Sequence, residues 1–378
     1  MSTRNRGEVL SDDEIVTQLR QTISEICESP STEVAVLRLM EEFHFDMEVV
    51  MTDLAEQGLN VSFSDVKYED IASFVGLDYV LQFTDVTLFD LRRSRISTTL
   101  FRDIVRDMDV LLIPYGNLRQ HSNEETRSRF FAPIVNRLTA LFGSWIRNTS
   151  EPLMSDRITK RGRVECYFKT FNAAVSVVLV EATWNIEDGK ERLNAIAQVI
   201  AESCNWNNRK DSFKIPVHGI LCDGCSFQSF TFDGNVTPSK LTMGTFPEST
   251  FRGLKLVDFS SKPTARPFIH SLRPICETIF SSLLLTFIAS VKAFRDRFAS
   301  QQKSLDGWDR ALKFAEEALE MPQTAEELRQ ENSTDTAGAM AGAAIEALKL
   351  STDEVPISRK YISPPLMDGW DDDEVRKV

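Results

Sequence analysis

Two acidic residues, Glu165 and Glu181, have the type and spacing that metal-dependent chemistry needs. They lie in two short apolar runs, Arg163 to Phe171 and Ala174 to Trp184, and the pattern of these runs predicts two β-strands. If the strands pair as a hairpin, alternation of side chains lets Glu165 and Glu181 point into one space. Two carboxylates at the end of a buried sheet are unfavourable unless a cation neutralises them. Their oxygens suit Mg²⁺ or Mn²⁺, which can activate water and stabilise a phosphoryl group.

The elements around these two strands predict a mixed central sheet flanked by helices. A helix begins after Ser122 and precedes the strands, and an amphipathic helix from Lys190 to about Ser203 follows them. Two further apolar runs, Val217 to Cys222 and Phe227 to Phe232, predict strands of the same sheet. The predicted fold class is therefore α/β (α+β), in the order α-β-β-α-β-β.

The rest of the chain divides into flanking regions. Residues 1–115 are predicted to be mainly helical, although the pattern of residues 77–115 is ambiguous. The α/β domain covers residues 116–300, with residues 264–300 as a C-terminal helix on its core. Residues 301–378 combine a polar helical segment with an acidic tail that is predicted to be disordered. The apolar stretch Thr278 to Val291 is too short to span a membrane and predicts a buried helix, so no membrane partner is expected.

Composition narrows the class of function. The net charge of -13 provides no general basic surface for coating nucleic acid, although a local basic rim with a bridging metal remains compatible with it. A hydrophobic fraction of 42% is enough for a sizeable core. The six cysteines are sparse and predict free thiols in a reducing compartment. Together with a start that lacks a signal-peptide pattern, they predict an intracellular protein of the cytoplasm or nucleus.

Five segments carry a resemblance to a known superfamily. In chain order they are Asn123–Arg127, Gly162–Glu165, Leu179–Thr183, Ala195–Glu202 and Gly219–Gly224. Their order and spacing resemble the PD-(D/E)XK superfamily of nucleases, which have a restriction-endonuclease-like fold. The chain is most similar there to fungal and Crinkler-type proteins with such a domain. The resemblance covers roughly residues 120–250.

The resemblance implies a role for each matching residue. Glu165 matches the first acidic metal ligand of the family and Glu181 the second. Glu124 matches the acidic residue on the first helix that supports the metal site, and Gln198 matches the polar residue on the helix after the second acid. The implied cofactor is Mg²⁺, held by Glu124, Glu165 and Glu181.

One position departs from the family pattern. The family has a lysine two residues after the second acid, where it positions the attacking water and offsets charge in the transition state. This chain has Thr183 there. Either the site is degenerate, or another amine, from Lys169 or Lys190, has taken the role.

Two functions follow from this departure. The first is a degenerate binding module for nucleic acid or protein, with the N-terminal region and the acidic tail as partner-binding parts. The second is a Mg²⁺-dependent nuclease that hydrolyses phosphodiester bonds in DNA or RNA. Simpler structural interpretations also stand: Glu125 completes a capping box with Ser122, and the Cys222–Cys225 spacing is more typical of a tight turn than of a zinc site.

Overall fold

The structure, a computed structural model, is a mixed α+β protein with a mixed sheet and mostly helical surroundings. It describes residues 32–43, 66–78, 81–116, 124–149, 164–170, 174–181, 189–207, 215–222, 226–245, 253–257, 262–301, 304–331 and 333–356. The predicted capping residue Ser122 and the acidic tail lie outside these ranges.

Eight α-helices and eight strands make up the described ranges. The helices are α1 (Thr32–Phe43), α2 (Tyr68–Val75), α3 (Thr98–Tyr115), α4 (Glu124–Ala140), α5 (Gly189–Asn207), α6 (Lys262–Ser300), α7 (Asp306–Gln330) and α8 (Thr334–Glu354). The strands are β1 (Thr87–Asp90), β2 (Ile146–Thr149), β3 (Val164–Thr170), β4 (Ala174–Glu181), β5 (Val217–Cys222), β6 (Ser226–Asp233), β7 (Lys240–Thr245) and β8 (Leu254–Lys255).

The strands form one sheet in the order β1-β7-β6-β5-β4-β3-β2, and β8 pairs with the start of β6. The β3 and β4 strands pair antiparallel, as the hairpin prediction requires. The β4 and β5 strands are parallel and are joined through α5, because a parallel connection needs a crossover. The β1 strand, from the region predicted to be mainly helical, pairs parallel with β7 at one edge.

Each face of the sheet carries its own core. Side chains alternate along β5, so Ile220 and Cys222 pack with α3, α4 and α6 on one face, while Val217 and Leu221 pack with α1, α2 and α5 on the other. Burial on both faces explains the nearly continuous apolar sequence of the central strands. The sheet end between these layers is where the two predicted acidic residues lie.

The longest helix, α6, lies across the first face of the sheet. Its residues Thr264–Ser300 are long and apolar enough to cross a membrane by length and composition, but 83% of the most apolar window is buried inside the fold. Its hydroxyls bond locally: Ser290 donates to the carbonyl of Thr286 and lies within hydrogen-bond distance of Thr170 Oγ1 in β3. These contacts fit the prediction of a buried core helix.

Two further helices follow: α7 packs against α6, and α8 packs against α7. Both helices bury many alanines: Ala311, Ala315, Ala318 and Ala325 on α7, and Ala337, Ala341 and Ala344 on α8. Small side chains let the two backbones approach closely. Trp308 at the start of α7 anchors the pair to α6, stacked on Phe294 and Phe298 with ring centroids 5.5 and 5.4 Å away.

The tight packing of β5 on β6 makes Gly219 a sensitive position. A Cβ atom at Gly219 would overlap the ring of Phe230, which is itself fully buried on the neighbouring strand. We expect Gly219→Ala to lower the free energy of unfolding by about 1–3 kcal/mol, since the ring must move within a filled core. Chemical denaturation followed by tryptophan fluorescence measures this loss.

The same substitution in α8 is the control. Nothing lies within 4 Å of a Cβ atom at Gly338 or Gly342. Because alanine is more favourable than glycine in the interior of a helix, Gly338→Ala is expected to raise the free energy of unfolding by about 0.5–1 kcal/mol. Equal effects of the two substitutions would contradict the packing described for Gly219.

Candidate functional site

The backbone brings the two predicted acidic positions to one end of the sheet. Val164 of β3 pairs with Val180 of β4, so Glu165 and Glu181 are each one residue from a paired position. Glu181 is the last residue of β4, and its Cα is also in register with Cys222, the last residue of β5. Adjacent strands lie about 5 Å apart, so the two backbones are neighbours.

The register around Glu165 is irregular. After Val164 pairs with Val180, the next pair is Cys166 with Leu179, which leaves Glu165 as an extra residue in β3. A second irregularity lies between Phe168 and Lys169. A bulge interrupts the alternation of faces, so the strict alternation used in the sequence analysis does not extend through Glu165. The side chains of residues 165, 169 and 181 lie outside the described part.

The two lysines proposed to replace the family's lysine lie elsewhere. Lys169 is near the other end of β3, with its Cα in register with Arg147 and Val175. Four residues of strand separate it from Glu165, about 13 Å of backbone. Lys190, at the start of α5, forms an ion pair of 2.9 Å with Glu69 on α2, where its hydrogen bond lowers the pKa of the Glu69 carboxyl. Thr183 lies outside the described residues.

Two further residues of the predicted site are on helices. Glu124 is the first residue of α4, and its side chain lies outside the description. Gln198 is half-buried in the middle of α5, between the buried Ala197 and Val199, and it takes part in contacts within the fold. Among the described side-chain contacts, none connects Gln198 or Glu124 with the end of the sheet where Glu165 and Glu181 lie.

A zinc or histidine site gains no support from the described part of the chain. His218 is held within the sheet at 3.2 Å from the hydroxyl of Thr231, and burial lowers its pKa to about 4, so it is neutral at pH 7. Cys222 is buried and Cys204 half-buried, both as free thiols. Within the described ranges, no group of three His, Cys, Asp or Glu residues is placed to hold a metal ion.

The space between α6 and the sheet contains one small void lined largely by apolar side chains. Its walls include Leu91, Ile220, Phe227 and Thr278, and it has room for about one water molecule. The hydroxyl of Thr278 is buried without a hydrogen-bond partner, so a water there would satisfy it. This void is too small for a substrate.

A larger polar site connects the segment after β1 with α6 and α7. We call it the arginine cluster, and it consists of Arg93, Arg95, Arg273 and Arg329 with Glu277 and Glu326. Its centre is Glu277, whose side chain is 0% exposed. Arg93 Nη2 donates to Glu277 Oε2 at 2.8 Å, and Arg273 Nε donates to Glu277 Oε1 at 2.9 Å. Arg273 also donates to the carbonyl of Ile96 at 2.8 Å.

The second carboxylate of the arginine cluster is Glu326 on α7. Arg95 Nη1 donates to its Oε2 at 3.2 Å, and Arg329 Nε donates to the same oxygen at 2.9 Å. Burial raises the pKa of Glu326, but the bond from Arg329 and the charges of Arg93 and Arg95 outweigh it and hold that pKa low. Burial, reinforced by the charge of Arg273, lowers the pKa of Arg95. The two ion-paired groups therefore interact as one network.

Sequence reasoning missed the arginine cluster. The sequence signal for it is the dense run of Arg92, Arg93 and Arg95. Arg93 and Glu277 are 184 positions apart, and Arg95 and Glu326 are 231 apart. No local pattern links residues at such separations, so the partners of these arginines become visible only in the fold.

In comparisons with known proteins, no family model, no curated protein and no solved structure matches the chain.

Proposed function

We propose that the chain is a degenerate PD-(D/E)XK-like protein whose sheet domain binds a nucleic-acid or protein partner without cutting it. The observation that supports this proposal most is the strand register, because Glu165 and Glu181 are each one residue from the Val164–Val180 pair, where β3 begins and β4 ends. At this end of the sheet the C-terminal ends of the parallel strands β4 and β5 also lie side by side, because α5 connects the two strands by a crossover.

The proposed metal ion would be held by carboxylate groups. Carboxylate oxygens are the ligands that Mg²⁺ prefers, so Glu165 and Glu181, with Glu124 in support, have suitable chemistry. The backbone register of β3 and β4 places both residues at the same end of the sheet, each one position from the Val164–Val180 pair. Such an ion would supply Lewis-acid stabilisation of a phosphoryl oxygen. Under this proposal it holds a phosphate of the partner in place.

The position of the amines favours binding over catalysis. Thr183 has no charge to offset the transition state. Lys169 is separated from Glu165 along β3, and Lys190 is engaged with Glu69. Among the described residues, no amine is assigned to positioning the attacking water, and hydrolysis needs such a group. The alternative, a Mg²⁺-dependent nuclease, requires that another group supply it.

A cleavage assay tests the proposal. The full chain is incubated with Mg²⁺ or Mn²⁺ and with supercoiled plasmid or single-stranded RNA, and we expect no cutting above that of Glu181→Ala. Thr183→Lys restores the family pattern. Because one missing electrostatic group costs on the order of 10²–10³ in rate, we expect this variant to cut at least about 100-fold faster than the natural chain.

Three comparisons make this result interpretable. Thr183→Met adds length without charge and is expected to stay inactive. Adding Glu181→Ala to Thr183→Lys is expected to abolish the gained cutting, as metal loss predicts. Metal-dependent cutting by the natural chain, lost in Glu181→Ala, would establish the nuclease alternative instead. An inactive but folded Thr183→Lys variant would count against the PD-(D/E)XK-like site.

A further inference from the structure

We propose that the arginine cluster binds the phosphate group of a phosphomonoester. This inference uses none of the residues at the end of β3 and β4, so it does not depend on the proposed function of the sheet domain. It rests on three properties of the cluster: surplus charge, unused hydrogen-bond donors and fixed geometry.

The charge balance of the cluster is positive. Four guanidinium groups face two carboxylates, which leaves a surplus of two positive charges. Much of this charge is withdrawn from water, since the side chains of Arg95 and Arg273 are 13% and 22% exposed. Partly buried like charges repel, and a bound anion offsets the repulsion. A phosphomonoester carries about -1.5 to -2 at pH 7 and matches the surplus.

The same balance distinguishes the kinds of phosphate. A phosphodiester of nucleic acid carries one negative charge per phosphate and would leave the cluster positive. A carboxylate would do the same. The dianion of a phosphomonoester therefore complements this site best, whether it belongs to a small molecule or to a phosphorylated side chain of a protein.

Unused donors in the cluster are the second property. The Nε atoms of Arg93 and Arg95 are buried and have no hydrogen-bond partner among the described residues. Each of these arginines contacts its carboxylate through a single Nη atom, although a guanidinium has five N–H donors. Leaving such donors buried without a hydrogen bond is unfavourable. Phosphate oxygens are suitable acceptors, because the planar guanidinium matches their geometry.

Fixed geometry and access to solvent are the third property. Arg273 is held by Glu277 and the Ile96 carbonyl, and its guanidinium lies 5.1 Å from the centre of the Phe101 ring. A group held in this way loses little freedom when a ligand binds. Arg329, which is 42% exposed, gives the cluster an edge in contact with water. The cluster thus combines a rigid interior with an open rim.

The test measures binding of inorganic phosphate to the full chain by titration calorimetry and by thermal unfolding, at constant ionic strength set with chloride. We expect saturable one-site binding with a dissociation constant below about 10 mM. A phosphoserine peptide and a 5′-mononucleotide then separate a protein source of the phosphomonoester from a small-molecule source.

Two variants that change the charge in opposite directions distinguish a binding role of the cluster from a purely structural one. Arg95→Gln removes one positive charge and is expected to weaken phosphate binding about tenfold. Glu326→Gln removes a negative charge and is expected to tighten binding severalfold, even though it also breaks the ion pairs with Arg95 and Arg329. If Arg95→Gln does not fold, Arg329→Gln at the exposed rim replaces it. Arg102→Gln, an exposed position on α3, matches the change of net charge and is expected to leave binding unaltered.

Three results would overturn the inference. They are the absence of saturable phosphate binding by the natural chain, weakening in both Arg95→Gln and Glu326→Gln, and an equal effect of Arg102→Gln. Duplex DNA that binds through the cluster more tightly than any phosphomonoester would assign the site to a phosphodiester backbone and would also overturn it.

Discussion

Glu277→Gln is expected to lower the free energy of unfolding by about 3–5 kcal/mol, the range for breaking a buried ion pair by removing one partner. The carboxylate is 0% exposed and accepts hydrogen bonds from both Arg93 and Arg273. A neutral amide leaves these two guanidiniums without their counter-charge inside a cluster that is already positive. Urea unfolding monitored by circular dichroism measures the loss.

The matched control is Glu317→Gln. Glu317 on α7 is 38% exposed and lies 3.9 Å from Lys313, in a pair that solvent screens. Exposed pairs contribute about 0–1 kcal/mol, so this variant should be nearly as stable as the natural chain. A loss below about 1 kcal/mol for Glu277→Gln as well would mean that the guanidiniums turn to water, and the cluster would then not be a fixed structure.

Trp308→Ala is expected to cost about 3–5 kcal/mol, as large aromatic truncations in a core do. The indole is 1% exposed and stacks on Phe294 and Phe298 of α6. It is one of the largest fully buried side chains and lies where α7 meets α6, so its loss leaves a cavity at their junction. The free energy of unfolding from guanidinium denaturation tests this.

Trp308→Phe separates stacking from volume, since it keeps a ring against Phe294 and leaves a smaller cavity; a loss well below that of alanine is expected. Ile113→Ala is the surface control, because Ile113 is 85% exposed on α3 and should change stability by no more than about 0.5 kcal/mol. If limited proteolysis of Trp308→Ala leaves α7 and α8 as protected as before, the anchoring role of Trp308 is wrong.

The central elements of the fold follow from sequence because burial on both faces leaves a strong pattern. The strands β3, β4, β5 and β6 and the helix α5 were predicted near their observed bounds. The strands β1, β2, β7 and β8 were not predicted. The β2 strand, Ile146–Thr149, contains Arg147 and Asn148, and β1 is largely exposed, so neither has a continuous apolar pattern. Edge strands are short and polar because they face water on one side.

The helix α8 was also missed, for a different reason. Its sequence is rich in Thr, Gly and Ala, and most of its buried apolar positions are alanines, including Ala337, Ala341 and Ala344, beside only two larger residues, Ile345 and Leu348. Periodicity analysis gives small residues little weight. Their value arises only when α7 presents alanines opposite them, which a reader of the sequence alone cannot see. The fold class was predictable, whereas this packing was not.

The candidate site shows the same limit. The sequence predicted that the strands carrying Glu165 and Glu181 pair with each other, and the register confirms that β3 and β4 are partners. The bulge at Glu165 could not be predicted, because it depends on how two strands adjust within the whole sheet. The predicted metal site therefore stays a prediction, while the arginine cluster, built from contacts between distant segments, emerged only from the structure.

The parallel pair of β1 and β7 gives the chain a particular order of assembly. Thr87 and Thr242 are partners, so β1 leaves the ribosome well before the residues that complete its pairing are made. At the usual rates of synthesis this interval is on the order of ten seconds. Throughout that time the nascent β1 has no place in a finished sheet. The β1 strand can therefore join the sheet only after β7 has been made.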